Sequence, residues 1–383
     1  MRKLIKIFFS VYCLIFCFTM SGCWNYREIE DFAIVTGIAV DKISNGYLVT
    51  TEIINIGGGK NAVIETITIS SEGITIFDAV RNGIKVTGKK LYHSHSKVFI
   101  ISEEIAKEGV VPVLDWFGRD AEPRYDINLL VAKGKTAKDI LEQKAYTEDV
   151  LSFELNDMID AQKRLAVSPD IKQWNFLNDL SGKGITAILP VVSLDIYDKK
   201  TVVKIEGTGI FKKDKMIGYL DGDETKMLLF IRNKIEGGLL IAKINEDKVE
   251  TNISLEIFKN KTTLKPLLKT GSIVMEITTE TEVAIGENGS TINYIDEEGR
   301  EKLKRIFEEM MEEDIKKLIK KVQKEYRSDI FGFGRTLRIN KPYYWKQVEN
   351  RWDEIFPIIE VNVNSTVTIR NSAYQSKPIK VGD

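Results

Sequence analysis

Cysteine is scarce in this chain of 383 residues: there are three, at positions 13, 17 and 23. Beyond Cys23 there is no thiol with which to build a disulfide, a cysteine nucleophile or a cysteine metal site. Histidine is scarcer still, with only His93 and His95. The sequence contains no His-Glu-x-x-His helix and no Gly-x-Ser-x-Gly elbow, so neither a zinc protease nor a serine hydrolase is indicated. Neither sign of charge dominates, with 55 basic and 56 acidic residues. Nucleic-acid binding leans on clustered positive charge, and nothing here suggests it. The chain also lacks a Pro-rich or Ser-rich linker, an internal repeat and a low-complexity tract.

What is present begins at the N-terminus. Arg2, Lys3 and Lys6 precede a run from Ile7 to Thr19 that is apolar apart from Ser10 and Thr19, and small residues Ser21 and Gly22 follow. This is the pattern of a secretory signal. The run is shorter than the roughly 20 residues a bilayer-spanning helix needs, which favours export over a permanent span. Met20-Ser21-Gly22-Cys23 resembles a bacterial lipobox, in which the cysteine receives a diacylglyceryl group and becomes the mature N-terminus. Met20 stands where leucine is usual. Cleavage after residue 22 would remove Cys13 and Cys17 and leave 52 basic against 56 acidic residues. No polybasic stretch adjoins Cys23, but a diacyl group supplies two chains, enough for stable anchoring. The remaining length of about 360 residues suffices for two or three ordinary hydrophobic cores.

Strand and helix signals then alternate. Strands are expected over Ala33 to Asp41, Tyr47 to Ile54, Val63 to Ser70, Leu91 to Ile101 and Arg124 to Ala132, and a further apolar stretch runs from Ile185 to Leu194. Helices are expected near Phe77 to Lys85, Thr136 to Lys144, Glu148 to Lys163 and Glu224 to Ile231. Val249 to Ile257 and Ile273 to Ile285 alternate in the manner of half-buried antiparallel strands, and Val361 to Arg370 at the end is another alternating strand. Between them, Asp296 to Tyr326 follows the helical period, with Leu303, Phe307, Met311, Leu318 and Val322 on one stripe that must be buried. Glu312 to Lys316 and Glu313 to Lys317 are i,i+4 pairs in the favourable order. The reading is an α+β chain with mixed and antiparallel sheets flanked by helices. Its expected division is a signal over 1–22, an N-terminal mixed domain over 23–195, a β-rich middle domain over 201–290, and a C-terminal domain with the long helix and last strand over 291–375.

No chemical constellation emerges. His93 and His95, read as i,i+2 on a strand, would face one side, but no nearby Cys, Asp or Glu completes a metal set, so a structural pair is expected. Gly57-Gly58-Gly59-Lys60 lacks the leading Gly and following Ser or Thr of a phosphate loop and suits a hairpin tip. Asp221-Gly222-Asp223-Glu224 lacks the spacing of a calcium loop and suits a turn with an Asp N-cap. Phe331-Gly332-Phe333-Gly334 suits a chain reversal after the long helix. No catalytic residue, metal site or cofactor is expected.

Several stretches together resemble one family. Cys23-Trp24-Asn25-Tyr26-Arg27-Glu28-Ile29 followed by Ala33-Ile34-Val35-Thr36-Gly37-Ile38-Ala39-Val40-Asp41 resembles the mature start of the C subunits of spore germination receptors, the GerAC type. Leu91 to Ala106, with His95, Lys97 and Glu103-Glu104, and Asp115 to Arg124 continue the likeness. Gly209-Ile210-Phe211 with Gly218 to Thr225, then Ser328 to Gly334, then Trp345 through Trp352 to Phe356-Pro357, extend it through the second half. Asn25 replaces the usual Asp and Ala39 a common Gly.

The resemblance implies a lipoprotein anchored by diacylglycerol on Cys23 in the outer leaflet of the inner spore membrane. It also implies A-type and B-type membrane subunits as partners, a role in assembly and signalling without catalysis, and three domains of sheets flanked by helices. Trp24, Arg27, Glu28 and Asp31, directly after the anchor, are the expected partner contacts. A lipid-anchored solute-binding protein is the competing reading; it calls for two doubly wound lobes about a cleft. A wall hydrolase would need a convergent acid or metal set.

Overall fold

The structure is a computed structural model that describes residues 1–19, 28–56, 64–119, 122–246, 249–269, 271–289, 293–294 and 296–370. The apolar start forms a helix, α1 (Arg2–Thr19). No helix among the described residues is long and apolar enough to cross a membrane. Cys23, Trp24, Arg27 and the Gly57–Lys60 tip lie outside the described residues.

β1 (Phe32–Ile43), β2 (Gly46–Ile56) and β3 (Ile64–Gly73) form an antiparallel meander. A helix follows, α2 (Ile76–Thr87), whose start is fixed by Thr75 accepting from the Asp78 N–H and whose end falls at Gly88 with φ 66°. Only glycine adopts that left-handed conformation without strain. The chain then returns as β4 (Lys90–Tyr92) and β5 (Val98–Ile101), both parallel to β1. α3 (Glu103–Glu108) and α4 (Val111–Arg119) lead to β6 (Asn128–Ala132), parallel to β5. α5 (Ala137–Leu141), α6 (Leu151–Asp160), α7 (Gln162–Leu165) and α8 (Gln173–Ser181) precede β7 (Ile188–Tyr197), parallel to β6. The hairpin strands β8 (Lys200–Lys212) and β9 (Lys215–Leu220) close the sheet in the order β3-β2-β1-β5-β6-β7-β8-β9, with β4 on β1.

Helices cover both faces of this sheet. Phe99 and Ile101 of β5 face a core with α2, α3, α4 and Phe176 of α8. Val98 and Ile100 face a second core with α5 and α6. Parallel strands buried on both sides need apolar residues at every position, which is why Val98-Phe99-Ile100-Ile101 reads as an unbroken run.

The second sheet starts after α9 (Gly222–Ile231). β10 (Leu239–Glu246), β11 (Val249–Lys269) and β12 (Ser272–Asn288) are antiparallel. α10 (Glu297–Lys321), which runs on as a π turn to Tyr326, and α11 (Phe333–Asn340) then carry the chain back to β13 (Glu360–Ile369), parallel to β12. The stripe of α10 is buried as expected, with Leu303, Phe307, Met311, Ile315, Leu318 and Ile319 all inside. Both expected i,i+4 ion pairs form, at 3.2 and 3.6 Å. Glu312 and Glu308 of the same helix accept the Ser365 and Val367 N–H groups of β13 at 3.1 and 2.8 Å. These carboxylates occupy donors that an edge strand would otherwise present to another chain.

The architecture is α+β with mixed and antiparallel sheets. The boundary expected between 195 and 201 coincides with the β7–β8 hairpin, so the first sheet continues to Leu220 and the segment 201–290 is shared between the two sheets. Ile188, Ile210 and Leu220 of the first sheet share one core with α9, α10 and the second sheet.

Candidate functional site

Of the residues expected to meet partners, Glu28 and Asp31 are described, and both are exposed. The Asp31 N–H donates to the Glu28 carbonyl at 3.1 Å, closing the short turn Ile29–Asp31 that delivers the chain to β1. The first rung beyond it is held by Phe32 against Tyr92, ring centres 5.2 Å apart.

The adjoining stretch Ala33 to Asp41 turns inward and works as a docking strip for helices. The Asp41 carboxylate accepts the Ala137 and Lys138 N–H groups at 2.7 and 2.8 Å, at the start of α5. Burial raises its pKa above the ordinary carboxylate value, and these two donors work in the opposite direction. Glu52, opposite β1 on β2, accepts from Leu151 and Ser152 N–H at 3.0 Å each and from the Thr36 hydroxyl at 2.8 Å, so it caps α6 from below. A negative group at a helix N-terminus meets both free N–H donors and the positive end of the dipole. Gly37 lets α6 approach: a Cβ there would lie 2.0 Å from Ser152 Oγ. Glu154 of α6 instead gathers the segment before its own helix, receiving N–H groups of Tyr146, Thr147 and Glu148 at 2.6 to 3.2 Å. Glu52 did not stand out in the sequence, because Leu151 and Ser152 lie about 100 residues away and a lone Glu on an alternating strand looks solvent-facing.

A second polar cluster joins the two halves. The Gly182-Lys183-Gly184 loop, just before β7, lies against the reversal after α10. The Arg335 N–H donates to the Gly184 carbonyl at 2.6 Å and the Thr186 N–H to the Asp329 carbonyl at 2.7 Å. The Asp329 side chain accepts four N–H groups: Gly332 and Phe333 on one oxygen at 2.9 and 3.1 Å, Gly334 and the Trp352 indole on the other at 2.8 and 3.0 Å. Gly184, with φ 74°, and Gly334 meet backbone to backbone, and a Cβ on either would lie within 2.6 Å of the other's main chain. Arg232, at the end of α9, ties the same place together. Its Nε donates to the Ile330 carbonyl at 2.6 Å and a terminal nitrogen to the Thr186 carbonyl at 3.1 Å. Asp179 of α8 pairs with both Arg232 at 3.4 Å and Arg335 at 2.5 Å. Burial lowers the Arg232 pKa and the Asp179 charge opposes that shift.

The histidines require a correction. The run Leu91 to Ile101 is broken by a 3-10 turn over His93–His95, so the two side chains do not share a strand face. His93 is buried edge-on to Trp116, ring centres 5.8 Å apart, whereas His95 is exposed beside Tyr92. Among the described residues no three His, Cys, Asp or Glu groups gather to hold a metal ion. Asp221 caps α9 through a reciprocal pair with Glu224, at 2.8 and 3.1 Å.

With these arrangements in view, comparison with known proteins adds its own finding. A family described as the spore germination protein N-terminal domain matches residues 25–194, and one described as spore germination B3/GerAC like, C-terminal, matches 206–373. The chain is similar to spore germination protein B3 of Bacillus subtilis (strain 168), 28% identical over 88% of this chain and 90% of that one. It is also similar to spore germination protein KC of the same organism, 25% identical over 98% of each. A crystal structure of the GerBC protein shares the fold, with a TM-score of 0.57, 24% identity, and coverage of 87% of this chain and 96% of that chain. The two family matches lie one on each side of the β7–β8 hairpin, and together they span both sheets and the junction between them: this chain belongs to the GerAC-type family of spore germination receptor C subunits.

Proposed function

We propose that this protein is a lipid-anchored, non-catalytic subunit of a nutrient germinant receptor, carried by diacylglycerol on Cys23 in the outer leaflet of the inner spore membrane. Its partners are A-type and B-type membrane subunits, and its role is receptor assembly and signalling. The observation that supports this best is the match to spore germination proteins across both halves of a chain whose signal-like start leads straight to Cys23. The buried carboxylates of the family-like blocks support it too: Asp41 and Asp329 are each engaged by N–H donors that build the fold. The solute-binding alternative is not favoured, since β10, β11 and β12 are antiparallel and do not form a second doubly wound lobe.

Cys23→Ala tests the anchor. In cells fed a labelled lipid precursor, the variant is expected to lose both the label and its place in the membrane fraction, because a diacyl anchor is the attachment on which this reading depends. Full retention of unlabelled Cys23→Ala protein in membranes refutes it. Trp24, Arg27, Glu28 and Asp31 form the partner-facing segment in this reading. The double reversal Arg27→Glu/Glu28→Lys should reduce receptor assembly and germination while leaving lipidation and thermal melting unchanged. Wild-type germination in that variant would make the segment a tether and move the interface onto the folded sheets.

A further inference from the structure

At the junction of the two halves, beside the Asp179 cluster, lies a cleft of about 810 Å3. That is within the range of roughly 300–1,000 Å3 in which proteins hold small ligands, and clefts between packed units are a common place for them. One wall comes from the first half, through α8 and the segment before it. The other comes from the end of α9, from β11 and from α11.

The charges facing it are unequal. Lys163, Lys172, Lys234, Arg232 and Arg335 line the cleft against Asp170, Asp179 and Glu236. Asp179 is shared between two guanidinium groups, and Lys172 is taken up by Asp170 at 3.4 Å and Asn128 at 2.6 Å. Lys163 and Lys234 are exposed and make no ion pair among the described residues. Asp329, behind the wall, receives four uncharged N–H groups and its charge acts on Arg232, so with it counted five cations face four carboxylates and the surplus falls at exposed Lys163 and Lys234. Beside these cations the lining is apolar, with Ile185 and Phe331 at the wall, and with Trp174 and Ile339 left 49% and 70% open to water. A two-part lining of this kind suits a molecule with one anionic end and one apolar body.

We infer that this cleft is a binding site for a small organic anion, a carboxylate or a phosphate ester with an apolar body, whose charged end meets Arg335, Lys234 and Lys163 and whose body lies on Trp174 and Ile339. The cationic half comes from both sides of the junction, so an occupant bridges the two halves and holds them in one arrangement. The inference does not depend on lipid anchoring.

Fluorine NMR of the full chain in detergent tests it, with 4-fluorobenzoate and 4-fluorophenyl phosphate as probes, 4-fluorobenzyl alcohol as the neutral control and detergent alone as the blank. Both anions, or one of them, should bind in the millimolar range or tighter and clearly better than the alcohol. Which anion binds better assigns the site to carboxylates or to phosphates. Lys163→Gln/Lys234→Gln removes two charges that make no ion pair among the described residues and should weaken anion binding about tenfold, an effect that fades with added salt. Trp174→Ala should weaken binding of every probe that enters the cleft. Equal binding of alcohol and anions, no binding of either anion at millimolar concentration, or unchanged affinity in both the lysine and the tryptophan variants would overturn the assignment.

Discussion

Replacing Asp329 by alanine should be among the most damaging single changes in the second half of the protein. The carboxylate is 4% exposed and receives four N–H donors at 2.8 to 3.1 Å. Three of them are main-chain groups of Gly332 and of the first two residues of α11, Phe333 and Gly334, and the fourth is the indole of Trp352, which packs directly on Gly334. Leaving one buried donor unsatisfied costs about 1–3 kcal/mol. The four would not add in full, because the loop relaxes once its centre is gone. A loss of about 3–5 kcal/mol is expected, comparable to removing one partner from a buried charge pair. Set against a total stability of about 5–15 kcal/mol, that is enough to populate an unfolded second sheet under mild conditions. Asp329→Asn keeps one acceptor oxygen, but its NH2 must face two donors in either rotamer: Gly334 and Trp352, or Gly332 and Phe333. Its cost should be about 2–3 kcal/mol, between wild type and alanine. Urea unfolding followed by tryptophan fluorescence and by circular dichroism measures both. An alanine variant within about 1 kcal/mol of wild type would refute the reasoning, since buried donors without an acceptor cannot be that cheap.

Two further outcomes follow from the first sheet. Gly37→Ala places a Cβ 2.0 Å from Ser152 Oγ and should destabilise the protein by about 1–3 kcal/mol through overpacking. Ser152→Ala should recover part of that loss in the double variant, and additive losses in thermal melts would show that the contact is not the cause. Asp41 supplies a pH test: its folded pKa is raised above 3.8 by burial, so its contribution to stability is fully present below that value and is lost as pH rises through the folded pKa. The stability difference, wild type minus Asp41→Asn, should therefore fall with rising pH across that interval in urea titrations, and a difference that rises instead would mean that the two N–H donors outweigh burial.

Sequence alone determined the elements whose signal is local. The period of the long helix, the alternation of β11, β12 and β13 and the Asp221 cap are all set by neighbours within a few residues, so pattern and chemistry agreed with the outcome. The order of the blocks also carried the family. The tertiary structure decided what depends on distant partners. It bent the run around His93–His95 because buried His93 turns in against Trp116, and it carried the first sheet past the expected boundary because β7 turns back through Asp198 and Lys199, both with positive φ, into β8. It gave Asp41 and Glu52 their roles as acceptors for main-chain donors 96 to 100 residues away, and set the Trp352 indole on Asp329. It also brought Asp179, Arg232 and Arg335 to one point. A carboxylate in a sequence shows its charge but not which N–H groups will surround it, and only the packing of helices onto sheets supplies those.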